Sequence, residues 1–119
     1  MLDDCNILLV EDETLIALDI SMTLEDEGAA VTGPFATVAT ALPACDRPLD
    51  AAVLDVDLCG AKSFPIADRL AARGIPFVFY TGRADVAALK DRYGADITVI
   101  CKPARADHLV RTLETLIVH

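Results

Sequence analysis

The chain has 119 residues, enough for one domain with a sizeable core, and 54% of them are apolar. Nineteen acidic against ten basic residues leave a formal net charge of −9, which speaks against a nucleic-acid-binding surface. No apolar run has the length of a membrane span, and the start Met1-Leu2-Asp3-Asp4 lacks the regions of a signal peptide.

In chain order, short apolar runs alternate with amphipathic stretches. The first strand is expected over 6–10 and the first helix over 13–27, with Gly28 as its stop. Leu15, Leu18 and Met22 form one stripe of that helix and Ile16, Ile20 and Leu24 a second. Together they read as a broad apolar face lying on a sheet. The second strand is expected over 29–33, ended by Gly33-Pro34, and the second helix over 37–45, kinked or ended by Pro43. The third strand covers 49–54, and the third helix covers 64–73 with Ser63 as N-cap and Gly74 as stop. The fourth strand covers 77–80, the fourth helix 84–93, the fifth strand 97–101 and the last helix 105–118. Alternation of this kind implies an α/β fold. The expected architecture is a flavodoxin-like (βα)5, doubly wound five-stranded parallel sheet in the order 2-1-3-4-5. No linker or repeat interrupts residues 1–119, which read as a single domain. Cys5, Cys45, Cys59 and Cys101 include no CxxC and read as reduced thiols of a cytoplasmic protein.

Four of the apolar runs end in chemistry-bearing residues. They close on Glu11-Asp12, on Asp55, on Thr81 and on Lys102. Ligand sites of open α/β sheets form beyond the carboxyl ends of the strands, so these groups should converge. Three crowded carboxylates repel, a divalent cation relieves the repulsion, and oxygen ligands favour Mg²⁺. A lysine and a hydroxyl beside such a metal suit a phosphoryl group. Alone, Glu11-Asp12 also reads as an acidic helix start.

In these motifs the sequence resembles the receiver domain of two-component response regulators, the chemotaxis-regulator-like family, over essentially its whole length. The motifs are Leu8-Leu9-Val10-Glu11-Asp12-Glu13, Val53-Leu54-Asp55-Val56-Asp57-Leu58, Thr81-Gly82 and Lys102-Pro103. Each is weak alone; four in order, each closing a strand, are specific. The resemblance implies that Asp55 takes a phosphoryl group from a phosphohistidine of a sensor kinase or phosphotransfer protein, forming an acyl phosphate. Asp12 would ligate Mg²⁺ with Asp55, assisted by Glu11. Asp57 would offer its backbone carbonyl to the metal while its side chain looks toward the phosphoryl group. Lys102 would pair with a phosphoryl oxygen, and Thr81 would move to hydrogen-bond it. It implies a phosphoacceptor signalling protein rather than a conventional enzyme, with autodephosphorylation its only turnover. The chain has no expected output domain. Its output would be a protein-binding face of the fourth helix, fifth strand and fifth helix, toward an unnamed downstream protein. Nucleic acid and membrane are not expected partners.

The chain departs from the common family pattern in three places. Cys59-Gly60 stands where many receivers carry proline. Val99 replaces the aromatic usual three residues before the lysine. Phe79-Tyr80-Thr81-Gly82-Arg83-Ala84 partly resembles the Phe-Ala-Thr-Gly stretch of a subgroup of single-domain receivers, with Tyr80 in place of Ala. Tyr80 and Tyr93 are candidates for the missing aromatic, against core packing and helix capping. Arg83, His108 and His119 read as surface residues. Two other readings stay open: a haloacid-dehalogenase-like phosphatase built on Asp55-Val56-Asp57, and a non-phosphorylated, receiver-shaped interaction module. A flavin-binding flavodoxin fits poorly, because the acidic loop after the first strand repels phosphate.

Overall fold

Side chains that alternate along each central strand are sorted to two faces of one sheet, and both faces are covered by helices. The structure is a computed structural model and describes residues 2–82 and 85–118. The strands are β1 (Asn6–Val10), β2 (Ala30–Phe35) and β3 (Ala51–Leu54). A hairpin of β4 (Asp57–Leu58) and β5 (Ala61–Lys62) precedes β6 (Phe77–Thr81) and β7 (Val99–Cys101). The helices are α1 (Thr14–Asp26), α2 (Val38–Ala41), α3 (Phe64–Ala72), α4 (Val86–Tyr93) and α5 (Ala106–Val118). The main sheet has the order β2-β1-β3-β6-β7, all parallel. With the hairpin set aside, this is the expected 2-1-3-4-5.

One face carries Leu8, Leu54 and Phe79 against Ala41, Ile66, Leu70 and Leu89 of α2, α3 and α4. The other carries Ile7, Leu9, Val53, Val78 and Tyr80 against Ile20 and Leu24 of α1 and Leu109 and Leu113 of α5. No helix among the described residues is long and apolar enough to cross a membrane.

Several expectations need correction. The first helix buries Ala17, Ile20 and Leu24, with Ile16 packed beside them. The stripe of Leu15, Leu18 and Met22 is 81%, 54% and 55% exposed. The first four already fill the contact with the sheet, and a helix that touches a sheet on one side turns a second stripe outward. Strand β2 does not stop at Gly33-Pro34 but runs on to Phe35. It is an edge strand, where a proline lacking an N–H interrupts no second ladder. Gly33 is required there, since a Cβ would lie 2.7 Å from the Leu9 carbonyl oxygen. Pro43 ends α2 early, and Leu42–Asp46 continues as a 3-10 turn. Ser63 stands at the N-cap position of α3, but its hydroxyl makes no capping bond and is buried without a partner. Its ψ of 9° is not the extended geometry that aims a side chain at the first turn, and its own N–H donates to the Val56 carbonyl. The expected start of the fourth helix at Ala84 lies outside the described residues, as do Arg83 and His119.

Candidate functional site

The carboxyl ends of β1, β3, β6 and β7 open into one cavity lined by Asp12, Asp55, Asp57, Thr81, Asp85 and Lys102. The parallel register brings them there: Val10 lies opposite Leu54, Leu54 opposite Phe79 and Thr81 opposite Cys101. Each polar residue therefore emerges at the same level of the sheet. Glu11, Asp55 and Thr81 are 3%, 7% and 2% exposed, whereas Asp12 and Lys102 are half-buried.

Ligand oxygens of Glu11, Asp12 and Asp55 lie within 4.8 Å of one another. Opposite ligands of one Mg²⁺ lie about 4 Å apart, so modest side-chain adjustment would let one ion bridge them. The environment of Glu11 also fits a cation. Its Oε2 accepts the Glu13 N–H at 3.2 Å. Its buried Oε1 lies 2.8 Å from Lys102 Nζ but lacks an aligned hydrogen bond. That oxygen has electrostatic company and unused acceptor capacity. Hard oxygen donors of this kind suit Mg²⁺, which Glu11, Asp12 and Asp55 would hold.

Burial pushes the Glu11 carboxyl up to about 7, and the hydrogen bond and negative charge of Asp55 push the same way. Lys102 and the Glu13 N–H pull it down and lose. Burial works against the Lys102 ammonium, but its pairing with the Glu11 and Asp55 carboxylates outweighs that and raises its pKa. Lys102 Nζ donates to Asp55 Oδ2 at 3.1 Å and lies 3.7 Å from Glu13 Oε1. The other Asp55 oxygen, Oδ1, accepts the Val56 N–H at 2.8 Å. Asp55 is thus oriented on both sides, with its lysine-facing oxygen at the cavity.

The structure brings together Glu11, Asp12, Asp55, Thr81 and Lys102 as expected from sequence. Asp57 lines the same cavity, but its carboxylate is held by Lys62 at 2.6 Å across the β4–β5 hairpin. Sequence reasoning missed this hairpin. Its signal was Cys59-Gly60 flanked by an aspartate and a lysine, a two-residue turn with an opposite-charge pair across it. Cys59 has a φ of 52° and Gly60 a φ of 87°. Proline, locked near −65°, cannot take the first of these positions. The turn aims the Cys59 N–H at Asp12 Oδ2, 3.0 Å away. Sequence reasoning also missed Asp85, whose carboxylate accepts the Thr81 hydroxyl at 3.2 Å.

The remaining candidates lie elsewhere. Val99 packs half-buried against the α2–α4 side of the core. Tyr80 faces the other side, with its ring centre 5.6 Å from Lys102 Nζ and its hydroxyl accepting the Ala104 N–H at 3.2 Å. Tyr93 packs against Phe77 and Phe79 and bonds Asp68 at 2.9 Å. His108 is exposed on α5. All four cysteines are free thiols; Cys45 is buried and Cys59 exposed.

No family model matches the chain. No curated protein matches it either. Solved structures do. The signal receiver domain of a modulated diguanylate cyclase from Desulfovibrio desulfuricans G20 is 34% identical, with a TM-score of 0.84 over 98% of this chain and 95% of that one. SdrG from Sphingomonas melonis Fr1 is 43% identical, with a TM-score of 0.81 over 96% of this chain and 97% of SdrG. The receiver domain of the sensor histidine kinase PA1611 from Pseudomonas aeruginosa PAO1 is 24% identical, with a TM-score of 0.82 over 98% of this chain and 99% of that one. That domain carries a magnesium ion coordinated in its active-site cleft.

Proposed function

The chain belongs to the response-regulator receiver family, and from that premise we propose that it accepts a phosphoryl group on Asp55 in a Mg²⁺-dependent reaction. The donor is a phosphohistidine of a sensor histidine kinase or phosphotransfer protein. Asp55 Oδ2 attacks phosphorus, the phosphorus–nitrogen bond breaks, and the electron pair returns to the imidazole. The product is an acyl phosphate, which water later hydrolyses. The protein works in the cytoplasm through contacts with a downstream protein, either signalling or draining phosphoryl groups from a relay. The face of α4, β7 and α5 is its output surface.

One observation carries this reading: the Glu11, Asp12 and Asp55 oxygens cluster within 4.8 Å, and Lys102 Nζ stands 3.1 Å from Asp55. Glu11, Asp12, Asp55 and the Asp57 carbonyl would hold Mg²⁺, which would supply charge neutralisation for an incoming anion. Lys102 directs Asp55 Oδ2 and offers its ammonium to a phosphoryl oxygen. Thr81, at the cavity wall, offers a hydroxyl to another. The magnesium in the cleft of the PA1611 receiver domain supports the choice of ion. Incubation with a small acyl-phosphate donor and Mg²⁺, read by intact mass, tests the proposal. Wild type should gain one phosphoryl mass and Asp55→Asn none; equal gain by both would reject it.

A further inference from the structure

The Thr81 hydroxyl has a single proton to donate. Here it is given to Asp85, with Oγ1 and Oδ2 3.2 Å apart. Thr81 is 2% exposed at the end of β6, so Asp85 rather than bulk water holds that proton. Asp85 lines the same cavity as Asp55 and Thr81. It also occupies the N-cap position of α4, where an aspartate normally bonds the free amides of the first turn. Its carboxylate makes no such bond. Its ψ of −9° is not the extended geometry of a capping residue, so the Thr81 hydroxyl is the group it holds.

We propose that Asp85 is a positioning residue that competes with the phosphoryl group for the Thr81 hydroxyl and holds it until that group arrives. The inference rests on the phosphoacceptor reading above. A phosphoryl group on Asp55 repels Asp85 and offers Thr81 a more highly charged acceptor, so the hydroxyl turns toward phosphorus. The freed carboxylate, at the start of α4, is then repelled from the cavity, which carries the exchange from the cavity to the helix. No bond other than hydrogen bonds changes in this step.

The test uses beryllofluoride with saturating Mg²⁺ as a phosphoryl mimic. Its affinity is measured for wild type, Asp85→Asn, Thr81→Val and the double variant. Asparagine keeps the shape and can cap a helix, but it is a weaker acceptor and carries no charge. Asp85→Asn should bind the mimic about 3- to 10-fold more tightly. In the Thr81→Val background the same change should alter affinity less than about twofold. Without the mimic, the Thr81 methyl resonance should shift in Asp85→Asn, as its hydroxyl loses a charged acceptor. No tightening in Asp85→Asn overturns the proposal. Equal tightening in the Thr81→Val background also overturns it, since that result assigns the gain to lost charge alone. A misfolded variant cannot imitate tighter binding. Wild type that fails to bind the mimic at Asp55 rejects the phosphoacceptor reading and this proposal together, an outcome distinct from wild type that binds while Asp85→Asn gains nothing.

Discussion

Lys102 Nζ lies 2.8 Å from Glu11 Oε1, yet the Glu11 carboxyl is pushed up to about 7. Burial outweighs the ammonium, and the hydrogen bond and negative charge of Asp55 push the same way. The consequence for stability has a definite sign. Folded Glu11 holds its proton to a higher pH than the ordinary value of 4.5, so the folded state binds more protons in the window from there to about 7. Its contribution is present below that window and is lost as pH rises through it. Metal-free wild type should therefore melt lower at pH 8 than at pH 5, and Glu11→Gln should shrink that difference. An unchanged difference in Glu11→Gln would place the pH dependence elsewhere.

Mg²⁺ should reverse the penalty of crowding. If, as proposed, it is held by the folded carboxylate cluster and not by the unfolded chain, the melting temperature should rise with its concentration. Asp12→Asn should lose most of that rise and melt higher than wild type in metal-free buffer, because a charge leaves while the acceptor for the Cys59 N–H remains. Asp12→Ala removes that acceptor as well and should melt below Asp12→Asn. Calorimetry of the three proteins with and without Mg²⁺ checks the order. A metal-free Asp12→Asn that melts well below wild type contradicts the repulsion argument.

Lys102→Ala leaves Glu11 and Asp55 facing each other without a counter-charge. Both carboxylates are nearly buried, so the loss should be on the order of 2 kcal/mol, between the values for surface and buried pairs. Mg²⁺ should restore part of it. Phosphoryl transfer to Asp55 should fall by at least about tenfold, since removing one charged donor costs roughly this much or more. Stability and charging rate separate the two roles. Full charging with lowered stability would restrict Lys102 to structure.

How much of this was legible before folding depends on where each signal lives. The four strands that deliver Glu11-Asp12, Asp55, Thr81 and Lys102 are apolar runs long enough to be read directly, and parallel topology fixes where their ends meet. The β4–β5 hairpin was not legible as a strand pair, because two residues a side is too short for periodicity. The Thr81–Asp85 bond depends on how the loop turns into α4, which no pattern of polarity encodes. The exposure of Leu15, Leu18 and Met22 was invisible for another reason. Residue type marks a stripe as apolar, but only the packed neighbours decide which of two adjacent stripes meets the sheet.

That division of α1 makes a stability prediction. Ile20 is 5% exposed against the sheet, whereas Leu15 and Leu18 are 81% and 54% exposed. Ile20→Ala should cost about 2–5 kcal/mol, from lost transfer energy and a cavity. Leu15→Ser and Leu18→Ser should each stay within about 0.5 kcal/mol of wild type. Urea unfolding of the three variants decides it. A loss above 2 kcal/mol for either serine variant would mean that the outer stripe is covered in solution.

The last prediction concerns where phosphorylation is felt. Val99 is β-branched and packed half-buried into the α2–α4 core, so no aromatic at that position can swing inward. Tyr80 is committed to the α1–α5 side through the Ala104 N–H, and Tyr93 is fixed among Phe77, Phe79 and Asp68. Movable groups therefore concentrate after β6, where Thr81 is followed by Gly82 and a short helix. Leu89 is the one residue of that helix fully withdrawn from solvent. Tyr93 holds its far end, whereas its first turn buries no residue fully, so re-seating starts at that turn. Amide exchange with and without beryllofluoride should change most at Gly82 and over residues 85–94, with smaller changes in β7 and α5. If the largest change falls on the hairpin or on α1 while residues 85–94 keep their protection, the signal leaves the cavity by another route and the output face must be reassigned.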